Sequence, residues 1–514
     1  MAILLVFCLG KTGAQEIIRG PYLQLGTPTS MTVRWRTDGP TDSRVVAGRN
    51  YHDLSDTVIT SSMTTEHELI LSGLIPLTRY FYAVGSSSEL LAGGDSAHFF
   101  WTSPLPGSQK KIRLWAIGDA GFAGMGPLYA PTPRAVRDAY LRYTGDTYTQ
   151  VWLMLGDNAY SMGTDAQYQT AVFQDMYEDL LRTTPAWSAY SNHDSYSADA
   201  GSQSGVYFNI FSFPTQGEAG GTASGTEAYY SFNYGRVHFI TLNATDMVML
   251  DVSGEQYKWL ETDLLSTDQD WIIVFTHQPP HSHGSHNSDT ESNMVALRRD
   301  WLPLMENYGV DVVLSGHSHS YERSFLIDGY YGKSEEFAAN PGAYMLDGGD
   351  GREDGDGPYE KEHGPHNGTV CVVAGVSGGA RAGGYDHAAM AVSIRAEGSV
   401  VMDIIGNQLQ ARFLDTSGTV RDSFTILKHF HKPDPEKKSG ILFYQTSEGK
   451  GVLEINIEYK FNIELRNLKG EVVLTDSGSD EKKLIVRKSS FPPGRYILYV
   501  TGESGVYYKR LVLR

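Results

Sequence analysis

The sequence predicts a multi-domain protein in which an all-β domain is followed by an α/β domain and then by a small all-β domain. Length is the first reason, because 514 residues exceed what one hydrophobic core usually organises. The second reason is patterning: short alternating strands fill residues 17–106 and 439–514, whereas apolar runs alternate with helical segments over residues 107–428. The third is composition, since 41% hydrophobic and 20% charged residues are typical of a folded globular chain.

Residues 17–106 are predicted to form a small β-sandwich. Met31–Arg36 alternates apolar and polar residues, Tyr80–Val84 reads as a further strand, and turn sequences such as Asp38-Gly39-Pro40 separate the runs. Several short strands in a segment of this length are typical of a sandwich. Leu74–Tyr80 also resembles the corner of a fibronectin type III module, so this domain is expected to be fibronectin III-like.

The α/β domain, residues 107–428, is predicted from buried strands and the helices between them. The predicted strands are Ile112–Ile117, Val151–Leu155, Trp271–Phe275 and Val310–Leu314. The predicted helices are Pro133–Tyr143, Gly254–Leu265 and Asn293–Asn307. Continuous apolar runs of this length are typical of strands that are buried on both faces.

The ends of the chain carry signals of other kinds. Residues 1–16 are expected to be an export signal, because the apolar run Ile3–Leu9 precedes the small residues Thr12-Gly13-Ala14; a buried N-terminal strand is the alternative. Removal of the signal would leave Cys371 as the one remaining cysteine and exclude an internal disulfide. The polar, proline-containing residues 429–438 are expected to be a linker.

The charge of the chain excludes some classes of partner. A net charge of −18 argues against general binding to nucleic acid or to an anionic membrane surface. No apolar run after the first residues is long enough to span a bilayer. An anionic substrate would be repelled at long range, so the positive charge at its site would have to come from bound metal.

Five short clusters of metal-ligand residue types occur in order along the chain. They are Gly118–Gly121, Gly156–Tyr160, Ser191–Asp194, Val274–His277 and Gly316–His319. Four of them lie at the ends of predicted strands, and the other follows a weaker strand candidate, Ala186–Tyr190. Because the carboxyl ends of strands in open α/β sheets gather ligands at one edge, the clusters are expected to form one site.

The residue types in these clusters suit two metal ions that act together on a phosphate ester. Asp157 could bridge the ions, because Gly156 lets the backbone turn tightly after its strand. His317 and His319 alternate in direction, so that one can face each ion. Tyr160 is the informative addition, since a phenolate is a good ligand for trivalent iron and a phenol is a poor one for magnesium or zinc.

The complete set resembles the purple acid phosphatases, a group within the calcineurin-like metallophosphoesterases. The resemblance covers about residues 17–428 and includes the opening Arg19–Gln24; it departs at Ser191, where the family usually has glycine. It implies a catalytic domain built as a sandwich of two mixed sheets flanked by helices. It also implies a binuclear centre that holds Fe(III) and a divalent iron, zinc or manganese ion.

By this resemblance, the two ions share one bridging carboxylate. The ferric ion is expected to bind Asp119, Tyr160, His319 and the bridging Asp157. The divalent ion is expected to bind Asn192, His277, His317 and the same Asp157.

The resemblance also assigns residues to the reaction. His193 is expected to face the substrate phosphate, and the spacing of His286 from His277 matches a family histidine that donates a proton or binds phosphate. The expected reaction is attack of a metal-bound hydroxide on a phosphate monoester, with His286 or His193 protonating the leaving oxygen. Further residues are expected near the substrate or behind the ligands, with structural or solvated-loop roles as alternatives: His281, His283, Asp194, Glu322, Arg323 and His387.

The sequence therefore predicts an exported acid phosphatase, because trivalent iron would make hydroxide available below neutral pH. A phosphodiesterase or nucleotidase that uses the same metal pair is an alternative which the residues do not separate. A surface binding protein that keeps the domain as a scaffold is the alternative from another class, and the complete ligand set argues against it.

Residues 439–514 resemble the C-terminal sorting domains of type IX secretion in Bacteroidota. The segments that carry the resemblance are Ile463–Val472, Phe491–Leu498 and Lys509–Leu513. The resemblance implies a partner in that secretion machinery and a location outside the cell or on its surface. A carbohydrate- or protein-binding sandwich is the alternative, although the segment shows no aromatic platform for a sugar.

Overall fold

A computed structural model of the chain describes residues 15–429, 440–445, 451–467, 472–486, 494–502 and 505–513. Most of the predicted export signal, 1–16, and of the predicted linker, 429–438, lies outside these residues. Within them, no helix has both the length and the apolar character that crossing a bilayer requires.

The N-terminal domain is all-β, as predicted. Its strands are β1 (Ile17–Gln24), β2 (Ser30–Gly48), β3 (Asp56–Ser72), β4 (Arg79–Gly85), β5 (Leu90–Gly93) and β6 (Phe99–Trp101). Strand β2 is the centre of the sheet and pairs with β1, β3 and β4. The apolar residues of these strands form one core, which includes Leu23, Val33, Trp35, Val45, Tyr82 and Phe100.

Arginine side chains of β1 and β2 that do not face this core contact the second domain. Arg34 donates hydrogen bonds to the carbonyl oxygen of Phe211 at 2.7 Å and to Oγ of Ser212 at 2.8 Å. Arg19 and Arg36 both bind the Asp165 carboxylate, at 3.0 and 2.6 Å. These charge-assisted contacts fix the first domain against the second.

The second domain contains two seven-stranded mixed sheets, so the predicted sandwich is confirmed. The strands are β7 (Ile112–Ile117), β8 (Val151–Met154), β9 (Ala186–Ser188), β10 (Ala198–Asp199), β11 (Ser204–Gly205), β12 (Tyr230–Tyr234), β13 (Val237–Leu242), β14 (Trp271–Thr276), β15 (Val312–Ser315), β16 (Tyr321–Ser324), β17 (Leu326–Ile327), β18 (Met345–Asp347), β19 (Tyr359–Glu362), β20 (Val370–Ala374), β21 (Met390–Ile394), β22 (Gly398–Ile405), β23 (Gln408–Asp415) and β24 (Val420–His429). The strand order is β12-β13-β14-β15-β20-β16-β21 in one sheet and β19-β24-β23-β22-β7-β8-β9 in the other. In addition, β10 pairs with β11, and β17 pairs with β18.

Helices flank these sheets. They are α1 (Pro131–Thr144), α2 (Asp165–Tyr168), α3 (Glu178–Leu181), α4 (Val206–Ile210), α5 (Glu255–Ser266), α6 (Ser292–Ala296), α7 (Leu302–Asn307) and α8 (Ser334–Ala339). The helix predicted over 293–307 is interrupted by a π-helical turn, Leu297–Trp301, between α6 and α7. Pro303 has no N–H to donate to a preceding carbonyl, so the regular hydrogen-bond ladder cannot continue unchanged through this point.

The apolar residues between the sheets form the main core, and this core places the site. Trp115, Trp152 and Phe275 lie on β7, β8 and β14 and are fully buried in it. Strands β7, β8 and β9 are parallel to one another, as are β13, β14, β15 and β20. The loops after these strands therefore leave each sheet at one edge. Cys371, on β20, is a free and buried residue of the core region, as the sequence indicates.

The described part of the C-terminal region is also β-structure. Its strands are β25 (Gly440–Gln445), β26 (Gly451–Asn467), β27 (Val472–Val486), β28 (Gly494–Gly502) and β29 (Gly505–Leu513). They form one antiparallel sheet in which the long β26 pairs with β25, β27 and β28. The predicted all-β character of this region is confirmed.

Candidate metal centre

The predicted ligands lie where parallel strands end and loops begin. Asp119 follows β7, Asp157 follows β8, His277 follows β14, and His317 follows β15. Gly156 has φ 88°, and a Cβ at this position would lie 2.6 Å from Nδ1 of His277. Only glycine therefore allows the turn after β8 to pass this close to the neighbouring ligand.

The four residues predicted for the ferric site converge on the Tyr160 hydroxyl. This oxygen lies 2.9 Å from Oδ1 of Asp119, 2.7 Å from Oδ2 of Asp157 and 3.3 Å from Nε2 of His319. All four side chains are buried. Two carboxylates, a phenol and an imidazole thus meet at one point, although they come from three different loops.

The residues predicted for the second ion present unused donor atoms beside the same carboxylate. Oδ1 of Asn192 and Nε2 of His277 are buried and have no hydrogen-bond partner among the described residues. Nδ1 of His277 lies 2.8 Å from the carbonyl oxygen of Leu155, so this nitrogen carries a proton and Nε2 is the atom left to bind an ion. Nε2 lies 3.3 Å from Oδ1 of Asp157.

Each of the two histidines after β15 is also held in place through one ring nitrogen. His319 uses Nδ1 to donate to the carbonyl oxygen of Gly379 at 3.1 Å. His317 uses Nε2 to contact the carboxylate of Glu291 at 3.2 Å. Such contacts fix the tautomer and the ring orientation of metal-bound histidines, and they leave Nε2 of His319 and Nδ1 of His317 for an ion.

The centre holds several acidic groups that are buried close together. Burial raises the pKa of the Asp119 carboxyl to about 7, and the Asp157 carboxylate beside it acts in the same direction. Burial also raises the pKa of the Tyr160 phenol well above its ordinary value, with both carboxylates adding to the effect. Burial opposes protonation of His277, but Asp157 raises its pKa to about 9. Bound cations would neutralise this concentration of acids, so the residues fit a metal pair.

His193 and His286 border the ligands. The Nδ1–H of His193 donates to the carbonyl oxygen of Ser161 at 2.7 Å, and its Nε2 lies 3.9 Å from Oδ2 of Asp157. The ring of His286 lies 3.8 Å from the ring of His317, centroid to centroid. Both imidazoles therefore stand beside the ligand set, and each is held by a contact through Nδ1.

Glu291 is a site residue that the sequence analysis missed. Its carboxylate lies 2.9 Å from Nδ1 of His286 and 3.2 Å from Nε2 of His317. It also accepts a hydrogen bond from the backbone N–H of Asn287 at 3.1 Å. Glu291 belongs to none of the five clusters; an acidic residue shortly after a candidate histidine is a weak signal.

Asp194 and Ser191 support the ligand loops from behind. Asp194 accepts hydrogen bonds from the Tyr168 hydroxyl at 2.6 Å and from Ser191 Oγ at 2.7 Å. Ser191 Oγ in turn accepts from the backbone N–H of Asp157 at 2.7 Å. Ser191 replaces the glycine expected from the resemblance, and its hydroxyl connects the bridging ligand to Asp194.

Glu322 and Arg323 lie deeper in the domain. Glu322 accepts hydrogen bonds from the hydroxyl groups of Ser282 and Ser320. Arg323 is paired with Asp422 of β24, with Nε 2.7 Å from Oδ2. Arg323 thus joins β16 to β24, and Glu322 holds the loop after β14 through Ser282.

His281, His283 and His387 meet one another rather than the ligands. The ring of His387 lies 5.4 Å from that of His281 and 4.8 Å from that of His283. Across the described part of the chain, no hydrogen bond, ion pair or ring contact joins these three rings to the predicted metal ligands.

Comparisons with known protein families match both domains. Residues 112–321 match the calcineurin-like phosphoesterase family, and residues 18–104 match the purple acid phosphatase N-terminal domain. The chain therefore carries a purple acid phosphatase N-terminal domain followed by a calcineurin-like phosphoesterase domain.

Similar curated proteins include purple acid phosphatases. Purple acid phosphatase 23 of Arabidopsis thaliana is 26% identical over 354 residues, which are 60% of this chain and 74% of that protein. Human acid phosphatase type 7 is 27% identical over 366 residues, 64% of this chain and 76% of that protein. An uncharacterised protein of Mycobacterium tuberculosis is 26% identical over 360 residues, 63% of this chain, and the match spans 65% of that relative's length.

Solved structures show the same fold. A purple acid phosphatase from yellow lupin seeds has a TM-score of 0.58 and 21% identity, and the match covers 80% of this chain and 74% of that chain. PhoD has a TM-score of 0.55 and 13% identity, covering 79% and 90%. At these identities the likeness concerns the fold. The family match over residues 112–321 is what assigns the second domain to the calcineurin-like phosphoesterases.

Proposed function

We propose that the chain is an exported acid phosphatase of the purple acid phosphatase type, which hydrolyses phosphate monoesters at an Fe(III)–M(II) centre. The observation that carries the proposal is the convergence of the Tyr160 hydroxyl with Asp119, Asp157 and His319 in a buried position. The unused donor atoms of Asn192 and His277 beside it support a second ion.

The donor set divides between the ions by its chemistry. The phenol suits a trivalent iron, and the amide oxygen and imidazoles suit a divalent iron, zinc or manganese ion. When bound, such a pair supplies Lewis acidity and positive charge at the phosphoryl group. The first ion would be held by Asp119, Tyr160 and His319, the second by Asn192, His277 and His317, and Asp157 would contact both.

His193 and His286 are the groups of this chain that move or hold a proton in the proposed reaction. Contacts through Nδ1, to Ser161 and to Glu291 respectively, leave Nε2 of each ring free for the substrate. A protonated imidazole can donate to the leaving oxygen of an ester, and a positioned general acid contributes typically 10²–10⁴-fold to such a rate. Glu291 holds His286 in the orientation that this role requires.

Export is the second part of the proposal. The apolar run and the small residues within 1–16 support an export signal. The sequence resemblance of 439–514 supports type IX secretion to the cell surface or beyond. The antiparallel strands described between Gly440 and Leu513 are consistent with a separate β domain that performs this task.

The visible absorption spectrum of the purified chain, with metal analysis of the same sample, tests the centre. We expect a broad charge-transfer band and about one iron per chain, by analogy with phenolate–iron sites. Tyr160→Phe should lose the band and keep the fold, whereas Tyr129→Phe, at a half-exposed position, should keep both. A colourless wild type with two zinc or manganese ions would refute the ferric assignment, and retained colour in Tyr160→Phe would refute the assignment of that residue.

Substrate preference has a separate test. Rates on nitrophenyl phosphate and on the corresponding bis ester, measured with one metal-loaded preparation, compare monoester with diester hydrolysis. We expect the monoester to react faster. A faster diester would establish the phosphodiesterase alternative, and no turnover of either ester would favour a binding protein.

A further inference from the structure

A second group of metal-ligand side chains lies outside the predicted binuclear centre. We call it the histidine cluster, and it consists of His281, His283, Asp289 and His387. One ligand atom from each of His283, Asp289 and His387 lies within 4.8 Å of the others. The loop after β14 supplies the first three residues, and the glycine-rich loop before β21 supplies His387.

His283 stands between two carboxylates. Its Nδ1 lies 2.9 Å from Oδ1 of Asp386, and its Nε2 lies 3.2 Å from Oδ2 of Asp289. If Nδ1–H donates to Asp386, a neutral ring points the lone pair of Nε2 at a second carboxylate. That contact is repulsive unless a proton or a cation lies between the two atoms. A histidine whose other nitrogen donates to a carboxylate is the usual arrangement behind a metal ion.

The other two imidazoles are buried with unused nitrogens. His281 is fully buried, and neither of its ring nitrogens has a hydrogen-bond partner among the described residues. His387 is 2% exposed and its Nε2 is likewise without a partner. A buried ring nitrogen without a partner costs stability, so both rings require an explanation that packing does not supply.

The spacing of His283, Asp289 and His387 matches a single ion. Zinc–nitrogen and zinc–oxygen bonds of 2.0–2.2 Å in a tetrahedral site place two ligand atoms roughly 3.3 Å apart and two ring centroids roughly 5 Å apart. The contact between His283 and Asp289 is 3.2 Å, and the ring distances to His387 are 4.8 and 5.4 Å. The rings of His277 and His317, at the predicted binuclear centre, are 5.1 Å apart.

We propose that His283, His387 and Asp289 bind a divalent transition-metal ion, zinc by preference, at a site separate from the binuclear centre. These three nitrogen and oxygen ligands leave one position of a tetrahedral zinc site, and His281, with two buried and unpartnered ring nitrogens, is the candidate for it. The backbone N–H of Ala389 donates to Nδ1 of His387 over a long distance of 3.3 Å. Metal binding through Nε2 would place the ring proton on Nδ1, so these two N–H groups would move apart. Burial lowers the pKa of His387 to about 3, which keeps the ring in the neutral form that binds metal.

The charges around the cluster allow a divalent ion. Asp289 and Asp386 are both within reach of His283, and the Arg298 guanidinium lies 3.7 Å from Asp289. The Glu322 carboxylate also accepts a hydrogen bond from the backbone N–H of His283 at 3.0 Å, so carboxylates outnumber the one guanidinium before metal binds. The ion would join the loop after β14, which also carries His286, to the loop at 383–387, and would hold both against Tyr330, whose ring stacks on His281 at 5.0 Å.

The test is zinc analysis of the full-length chain after loading with zinc and dialysis against a weak chelator. We expect His387→Gln and Asp289→Asn to hold one zinc equivalent less than the wild type, with an unchanged visible band from the binuclear centre. His98→Gln is the matched control, because His98 pairs with Asp95 at 2.9 Å in the first domain, and it should keep the wild-type metal content. Equal zinc content in wild type and both variants would overturn the proposal.

Diffraction from wild-type crystals gives an outcome that does not depend on the folding of any variant. Data collected on both sides of the zinc absorption edge should show an anomalous peak between Nε2 of His283 and Oδ2 of Asp289. Absence of a peak there, in crystals that show zinc at the binuclear centre, would instead identify His283 as an imidazolium ion paired with two carboxylates. Because the readout is metal position and content, it is independent of whether the proposed phosphatase activity is found.

Discussion

Replacement of Glu291 by Gln tests whether this residue positions the two histidines it contacts. The carboxylate faces Nδ1 of His286 at 2.9 Å and Nε2 of His317 at 3.2 Å. A glutamine side chain has the same length but only one acceptor oxygen. At least one of the two rings would therefore lose its acceptor and face an amide N–H, so that its orientation is no longer fixed.

The size of the effect follows from these contacts. A hydrogen bond that involves a charged group contributes about 1.5–3 kcal/mol, and the side chain of Glu291 is 33% exposed, which favours the lower part of that range. Each 1.36 kcal/mol corresponds to a tenfold change in rate. We therefore expect kcat/KM to fall by roughly 10–100-fold, which is the usual cost of losing a group that orients a metal ligand.

The assay separates the two histidines. If Glu291 acts through His286, alkyl phosphates, whose leaving groups need a proton, should be slowed more than nitrophenyl phosphate, and metal content should be unchanged. If it acts through His317, both substrates should be slowed equally and metal content should fall. Glu255→Gln is the control, since that side chain is 85% exposed and its pair with Lys258 should contribute little. Activity within twofold of wild type on both substrates, with full metal content, would refute the positioning role.

Three further predictions concern other parts of the chain. His286→Ala should slow alkyl phosphates more than nitrophenyl phosphate, because it removes the proposed general acid; an equal loss of kcat/KM on both would exclude that role. Burial raises the pKa of Glu306 from 4.5 to about 8, so the folded chain holds a proton there that the unfolded chain releases, and stability should fall as pH rises between these values. Urea unfolding at about pH 5 and about pH 8 should show this fall, on the order of 5 kcal/mol at most, reduced in Glu306→Gln; identical pH dependence in both proteins would contradict it. Deletion of 439–514 should leave turnover intact but stop export in the native host, and unchanged export would favour a binding module.

The strands and the ligand clusters were predictable because their signals are local. Ile112–Ile117 was predicted with the bounds that the structure has, since a buried parallel strand is a continuous apolar run with a clear start and end. The same reasoning placed Asp119, Asp157 and His317 at strand ends, where the structure brings them together. The helix over 293–307 was predicted only in outline, because hydrophobic periodicity does not reveal a π-helical turn.

Other features depend on contacts between distant residues, and no local pattern contains them. The pairing of Arg323 with Asp422 joins strands that are almost a hundred residues apart in the chain. His387 meets His283 only because the loops after β14 and before β21 fold onto each other. The tautomers of the ligand histidines depend on single carbonyl groups, such as that of Leu155 behind His277, and a carbonyl has no sequence signature.

The backbone conformation of three predicted ligands indicates that their side chains are required for the donor atoms they carry. Asp119, Asp157 and His317 have φ values of 56°, 53° and 65°, in the left-handed region where most residues are disfavoured. Such conformations cost on the order of 1–3 kcal/mol each and persist where the surrounding structure fixes them, often at functional sites. Glycine would relieve this strain at all three positions, but it has no carboxylate or imidazole. Aspartate and histidine are among the side chains that adopt this region most readily, so the chain combines a tight turn after the strand with a ligand at the turn itself.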